Sequence, residues 1–129
     1  MEVAISCLLI AAMLHVISKV PVAVAMSRQG KYDNNQPRAQ EATLTGFGHR
    51  ALAAHENTIE AFPLFATGII IALLAQVDQA RIDTLAITFV IARLLYLVCY
   101  LSDIAWLRSL VWGVGYLASL TLIALPLLG

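Results

Sequence analysis

The sequence predicts an all-α membrane protein: one domain over residues 1–129, folded as a four-transmembrane-helix bundle. Three observations carry that prediction. The chain is 60% hydrophobic and only 12% charged, where a soluble domain is nearer a quarter charged. Its mean hydropathy is +0.83. Its apolar residues also fall in four long runs, separated by polar breaks, of a length that suits bilayer-crossing helices. The same composition bounds function. Lys and Arg balance Asp and Glu at eight each, with no basic tract, so nucleic acid is not an expected partner. Cys7 and Cys99 both sit in apolar runs and read as small core residues, not as a disulfide or metal pair. There is no HExxH, GxSxG, Walker loop or cysteine-rich spacing. Neither a bound metal nor NTPase chemistry is expected.

Val3–Met26 is the first run, about 36 Å as a helix. Glu2 before it and Arg28 after it are the wrong flanks for a cleaved signal peptide, so a retained helix is expected. Within it, Lys19 is expected to snorkel to the interface and Pro21 to kink the helix. Ser27–Gly48 is the one long polar segment, with turn formers at Gly30, Asp33-Asn34-Asn35, Pro37 and Gly46. The second helix is placed at Phe47–Ala75. Its uninterrupted apolar part, Ala61–Ala75, reaches only about 22 Å, so the polar turns before it must enter the membrane or stand just above it. Pro63 removes the helical partner of the Ile59 carbonyl, and a kink is expected there. Gln76–Asp83 is short, making the second and third helices antiparallel neighbours. The third helix is placed at Ile82–Leu101, and Ser102-Asp103 breaks it from a fourth at Ile104–Leu128. Gly113 and Gly115 are the expected points of close helix approach. Arg28, Lys31, Arg38, Arg50 and Arg108 gather on the long-loop side, which predicts a cytoplasmic loop and both termini outside.

The chemistry-bearing stretch is His49–Phe65. Ionisable groups entering a membrane helix are costly and usually face protein or a wet cavity. At helical pitch Arg50, Asn57 and Glu60 fall within about a quarter-turn of one another, and Arg93, Tyr96 and Tyr100 within about a sixth. Glu60 and Arg93 lie at similar depth from the shared hairpin, so an ion pair between them is expected. Arginine grips a carboxylate with a planar fork, Asn57 both donates and accepts, and Glu60 can take an ammonium. The set suits a small zwitterion with more than one carboxylate, while the neighbouring apolar helices admit a lipophilic small molecule from the bilayer. Arg108, one turn into the fourth helix beside Trp106, has two readings: an interfacial anchor, or a cation beside a bound ligand. His55 points off the Glu60 face and reads as interfacial. A lone protomer would turn part of this set toward lipid, which a second copy can cover.

At Tyr32-Asp33-Asn34-Asn35-Gln36-Pro37-Arg38-Ala39 and at Arg50–Phe65, centred on Asn57, Glu60 and Pro63, the chain resembles bacterial-type members of the MAPEG family, the membrane-associated proteins in eicosanoid and glutathione metabolism. The resemblance runs over nearly the whole chain. It implies a homotrimer in the bacterial inner membrane, with glutathione as co-substrate bound between protomers near the cytoplasmic face. It implies a glutathione-dependent transferase or peroxidase of the microsomal glutathione S-transferase type, acting on lipophilic electrophiles. By the match, Arg50, Asn57, Glu60, Arg93, Tyr96 and Tyr100 would bind glutathione, and Arg108 would be catalytic, stabilising the thiolate. The chain departs from the pattern at Ala53, where the family's enzymes commonly carry a second arginine one turn after the Arg50 position. The same scaffold also serves proteins that bind lipophiles without catalysis, or that are structural, and that is the alternative expectation.

Overall fold

The computed structural model describes residues 1–129 and is helical, with no strand. The elements are α1 (Glu2–Ile17), α2 (Lys19–Arg28), α3 (Pro37–Glu41), α4 (Phe47–Leu74), α5 (Gln79–Leu101), α6 (Ala105–Ala124) and a closing 3₁₀ turn at Leu125–Leu127. Four helical spans are long and apolar enough to cross a membrane: Glu2–Arg28, Phe47–Leu74, Gln79–Leu101 and Ala105–Leu127. The expected four-helix bundle is therefore present, with each span bounded within a few residues of its predicted ends.

Helix α1 gives way to α2 at Ser18. Pro21 has no N–H to offer the Ile17 carbonyl one turn back, and the hydrogen-bond ladder fails there. Lys19 does not simply snorkel: its ammonium pairs with Glu41 of α3, which ties the long loop to the joint. That loop is more ordered than its turn formers suggest. Gln40 gathers it by donating to the Met26 and Lys31 carbonyls at 3.2 and 2.9 Å and accepting from the Asp33 amide at 2.8 Å. Pro63, by contrast, leaves α4 helical from Phe47 to Leu74.

Both interhelical turns on the α5 side close the same way. Gln76 and Asp103 take positive φ of 56° and 61°. The amide three residues past each helix end then bonds back into the last turn, Val77 to Ala72 and Ile104 to Cys99. These tight reversals lay α5 antiparallel against both α4 and α6.

Helices α4 and α5 form the centre: α1 packs on one side of the pair and α6 on the other, with no contact between α1 and α6. The main core runs through the half of the bundle nearer the α4–α5 hairpin. Phe65 and Phe89 stack there, with centroids 3.9 Å apart, among Cys7, Ile69, Ile82 and Leu122. Cys7 and Cys99 are buried and unpaired, as their apolar settings implied. The tightest approach of helices falls at Gly68, with Gly48 next against Ala25 of α2 at 3.0 Å, and not at Gly113 or Gly115. A Cβ on Gly68 would lie 2.8 Å from the Leu122 Cβ, whereas nothing comes within 4 Å of one on Gly113 and only ordinary contacts surround Gly115. Helical spacing could not reveal this, because it does not fix which face of α6 turns toward α4: Gly115 faces α5 and Gly113 faces open space.

Candidate functional site

Helices α4 and α6 touch at Gly68–Leu122, and nearer the loop side a cavity of about 190 Å³ is lined by both of them and by α5. Its polar lining is Asn57 and Glu60 from α4, Arg93 from α5 and Ser119 from α6. The apolar and aromatic lining is Ala61, Leu64, Phe89, Trp112 and Tyr116. By helical rise, Asn57, Glu60, Arg93 and Trp112 sit at about 20–26 Å from the hairpin side, and Leu64, Phe89, Tyr116 and Ser119 at about 12–17 Å. The charged and amide groups thus sit toward the loop side, while the α6 wall carries aromatic rings at both levels and Ser119 at the deep end.

Four buried side-chain polar atoms in the chain have no hydrogen-bond partner, and three of them line this cavity: Asn57 Oδ1, Arg93 Nε and Ser119 Oγ. Buried polar groups are nearly always satisfied, so a cluster of orphans asks for a partner from outside the chain. Arg93 is only 3% exposed. Its Nη2 donates to Thr58 Oγ1 at 3.5 Å, and Thr58 in turn donates to the Ala54 carbonyl at 2.7 Å. Its guanidinium carbon lies 4.1 Å from the centre of the Tyr96 ring.

The expected Glu60–Arg93 ion pair is absent: the chain's single salt bridge is Lys19–Glu41. Glu60 lines the same cavity from its exposed rim. Sequence spacing fixed the depth of the two residues, but not the turn of α4 that carries the carboxylate outward.

The other expected site residues lie off the cavity. Arg50 Nη2 donates to the Leu101 carbonyl at 3.5 Å, capping the end of α5, where a cation also suits the helix dipole. Tyr96 and Tyr100 meet edge to face at 5.6 Å, and the Arg108 guanidinium stands 4.5 Å from the Tyr100 ring centre. Arg93, Tyr96, Tyr100 and Arg108 thereby form one ladder of cations and rings leading from the cavity to the loop side. Thr58, Trp112, Tyr116 and Ser119 went unnoticed in the sequence. A hydroxyl in an apolar helix and aromatics four residues apart were the available signals.

A second, larger depression of about 800 Å³ lies between the α1–α2 joint, the loop and α4. His55 is not interfacial as expected. It is buried there, its Nδ1 is 2.8 Å from Ser18 Oγ, and its ring meets His15 edge to face. Its central polar groups satisfy one another, Lys19 with Glu41 and Ser18 with His55. This depression therefore makes a weaker claim on a ligand than the α4–α5–α6 cavity does.

Four apolar spans, three of them lining a lateral polar cavity, define an integral, multi-pass membrane protein of the helical-bundle class. The family comparison matches residues 3–128 to the MAPEG family, and the chain belongs to it. No curated protein matches the chain, and no solved structure does. Membership makes this a membrane protein of the glutathione and eicosanoid metabolism family.

Proposed function

We propose that the protein is a glutathione-dependent transferase or peroxidase for lipophilic electrophiles, working as a homotrimer whose polar cavities are completed by neighbouring copies. The observation that carries this reading is the orphan cluster beside Glu60. Each free atom suits a part of glutathione: Arg93 Nε can donate to a carboxylate, Asn57 Oδ1 can accept from a peptide N–H, and Glu60 can take the ammonium. Glutathione supplies the thiol; the chain's residues bind and orient it. Arg108, reached along the Tyr96–Tyr100 ladder, is the cation available to stabilise a thiolate, which is the nucleophilic form. Its guanidinium lies over the Tyr100 ring, an arrangement that holds it against the bundle instead of leaving it free at the interface.

One feature favours the alternative of a non-catalytic lipophile-binding protein. The cavity holds a single cation, Arg93: position 53 is alanine, and Arg50 lies outside the lining, with its Nη2 on the Leu101 carbonyl and its Nε unpartnered. Glutathione carries two carboxylates. Titration of the detergent-solubilised protein with glutathione by calorimetry separates the readings. Saturable binding that Glu60→Gln weakens supports the enzyme; no heat of binding in the wild type leaves the lipophile binder. Thiolate absorbance in the ultraviolet then tests Arg108. It should vanish in Arg108→Leu with glutathione still bound, and should weaken in Arg108→Lys, since an ammonium cannot reproduce the planar fork.

A further inference from the structure

Hydroxyls on membrane helices ordinarily return their proton to the carbonyl one turn back. Thr58, Thr84, Thr88 and Thr121 all do so, at 2.7–2.8 Å. Ser119 does not: it is 1% exposed and its Oγ has no partner. Its proton is unspent, at the deep end of the α4–α5–α6 cavity. An isolated hydroxyl in so apolar a setting is costly, and the matching group is an acceptor carried by something that enters.

Directly above Ser119 on the same face of α6, Trp112 and Tyr116 lie parallel, 5.1 Å apart at an interplanar angle of 8°. In the single chain they are 41% and 43% exposed, so their rings are not covered by the protomer's own helices. Phe89 closes the cavity from α5. At about 190 Å³ the space is below the roughly 300 Å³ at which drug-sized sites begin. It admits a one- or two-ring body better than a long acyl chain. Flat aromatic surfaces favour offset stacking with a flat, conjugated guest.

We propose that the α6 wall of this cavity, from Trp112 down to Ser119, is a subsite for a flat, conjugated lipophile bearing a carbonyl oxygen, of the quinone class, with its ring against Trp112 and Tyr116 and its oxygen accepting from Ser119 at the deep end. As the seat of the second substrate it rests on the function proposed above, but the binding itself does not require glutathione.

The test uses full-length protein in lipid nanodiscs. The chain has two tryptophans, so Trp106→Phe leaves Trp112 as the sole reporter. The probe is 2,3-dimethyl-1,4-naphthoquinone, which quenches indole and has no free ring carbon for a thiol to attack. Saturable quenching of Trp112 is expected, against the unsaturable quenching that membrane partitioning alone gives in a Trp112→Phe protein. In the Trp106→Phe background, Ser119→Ala should weaken quinone binding about three- to tenfold, the loss of one hydrogen bond. It should leave displacement by 2,3-dimethylnaphthalene, which lacks the oxygens, unchanged. Tyr116→Leu should weaken both probes. Unsaturable quenching in the Trp112 reporter, or equal quinone affinity with and without the Ser119 hydroxyl, overturns the proposal. Calorimetry with glutathione on the same discs reports the polar end separately. Quinone binding without glutathione binding would sink the proposed function and uphold this subsite, and the reverse result would do the opposite.

Discussion

Arg93 is a buried cation with no carboxylate against it, held by one long hydrogen bond to Thr58 and by the face of Tyr96. That arrangement changes what its removal should cost. Truncating one partner of a buried ion pair costs about 3–5 kcal/mol because the other charge is stranded. Arg93→Met strands no charge and should cost only about 1–2 kcal/mol, the combined scale of a cation–π contact and a weak hydrogen bond. Glu60→Gln changes an exposed, unpaired side chain and should move unfolding by no more than about 0.5 kcal/mol in the absence of ligand. Thermal unfolding in detergent checks both; a large loss in each variant would restore the ion pair. The chemistry of these residues was legible in the sequence, since ionisable side chains in an apolar run announce themselves. Which of them meet was not. Periodicity gives height along a helix and relative angle on it, but not the rotation of one helix against the next. The Ser119 orphan was hidden for the same reason, because a lone hydroxyl acquires meaning only when its neighbours are known.

At the scale of elements, hydropathy and breaks located all four spans. The Ser18 joint followed from Pro21, whose missing N–H is a local fact. Less visible were features that join distant stretches: the loop gathered by Gln40, the Lys19–Glu41 tether and the Ser18–His55 contact. Gly68 is the sharpest case. A side chain there meets Leu122 Cβ at 2.8 Å and the Ser119 carbonyl oxygen at 3.1 Å, and backbone cannot yield as a flexible side chain does. Gly68→Ala should therefore force α4 and α6 apart and destabilise the bundle by about 1–3 kcal/mol, as overpacking does. Gly113→Ala, with open space around its Cβ position, is the matched control and should be neutral or slightly stabilising through helix propensity. Unfolding midpoints of the two variants measured side by side settle the matter, and equal midpoints would show that the contact is not a constraint.

For the whole molecule, the unanswered demand is the outer face of α4. Glu56, Ile59, Glu60 and Pro63 recur at helical spacing and are exposed in the single chain, within a span apolar enough to cross a membrane. A carboxylate facing lipid is expensive, and such groups in membrane helices nearly always face protein or a water-filled space. The scattered apolar side chains of α1 and α5 need nothing beyond lipid, but this face does. Another copy of the chain can cover it while leaving the cavity rim reachable from the loop side. Native mass spectrometry in gentle detergent is expected to give a trimer. Labelling locates the contact. In a Cys7→Ala, Cys99→Ala background, Ile59→Cys should react slowly with a membrane-permeant maleimide while the assembly is intact. It should react quickly once a harsher detergent separates the copies without unfolding them. A monomer in gentle detergent, or an Ile59→Cys that labels equally fast in both states, would mean that α4 faces lipid or water through Glu60. The cavity would then have to bind its ligand without a neighbour.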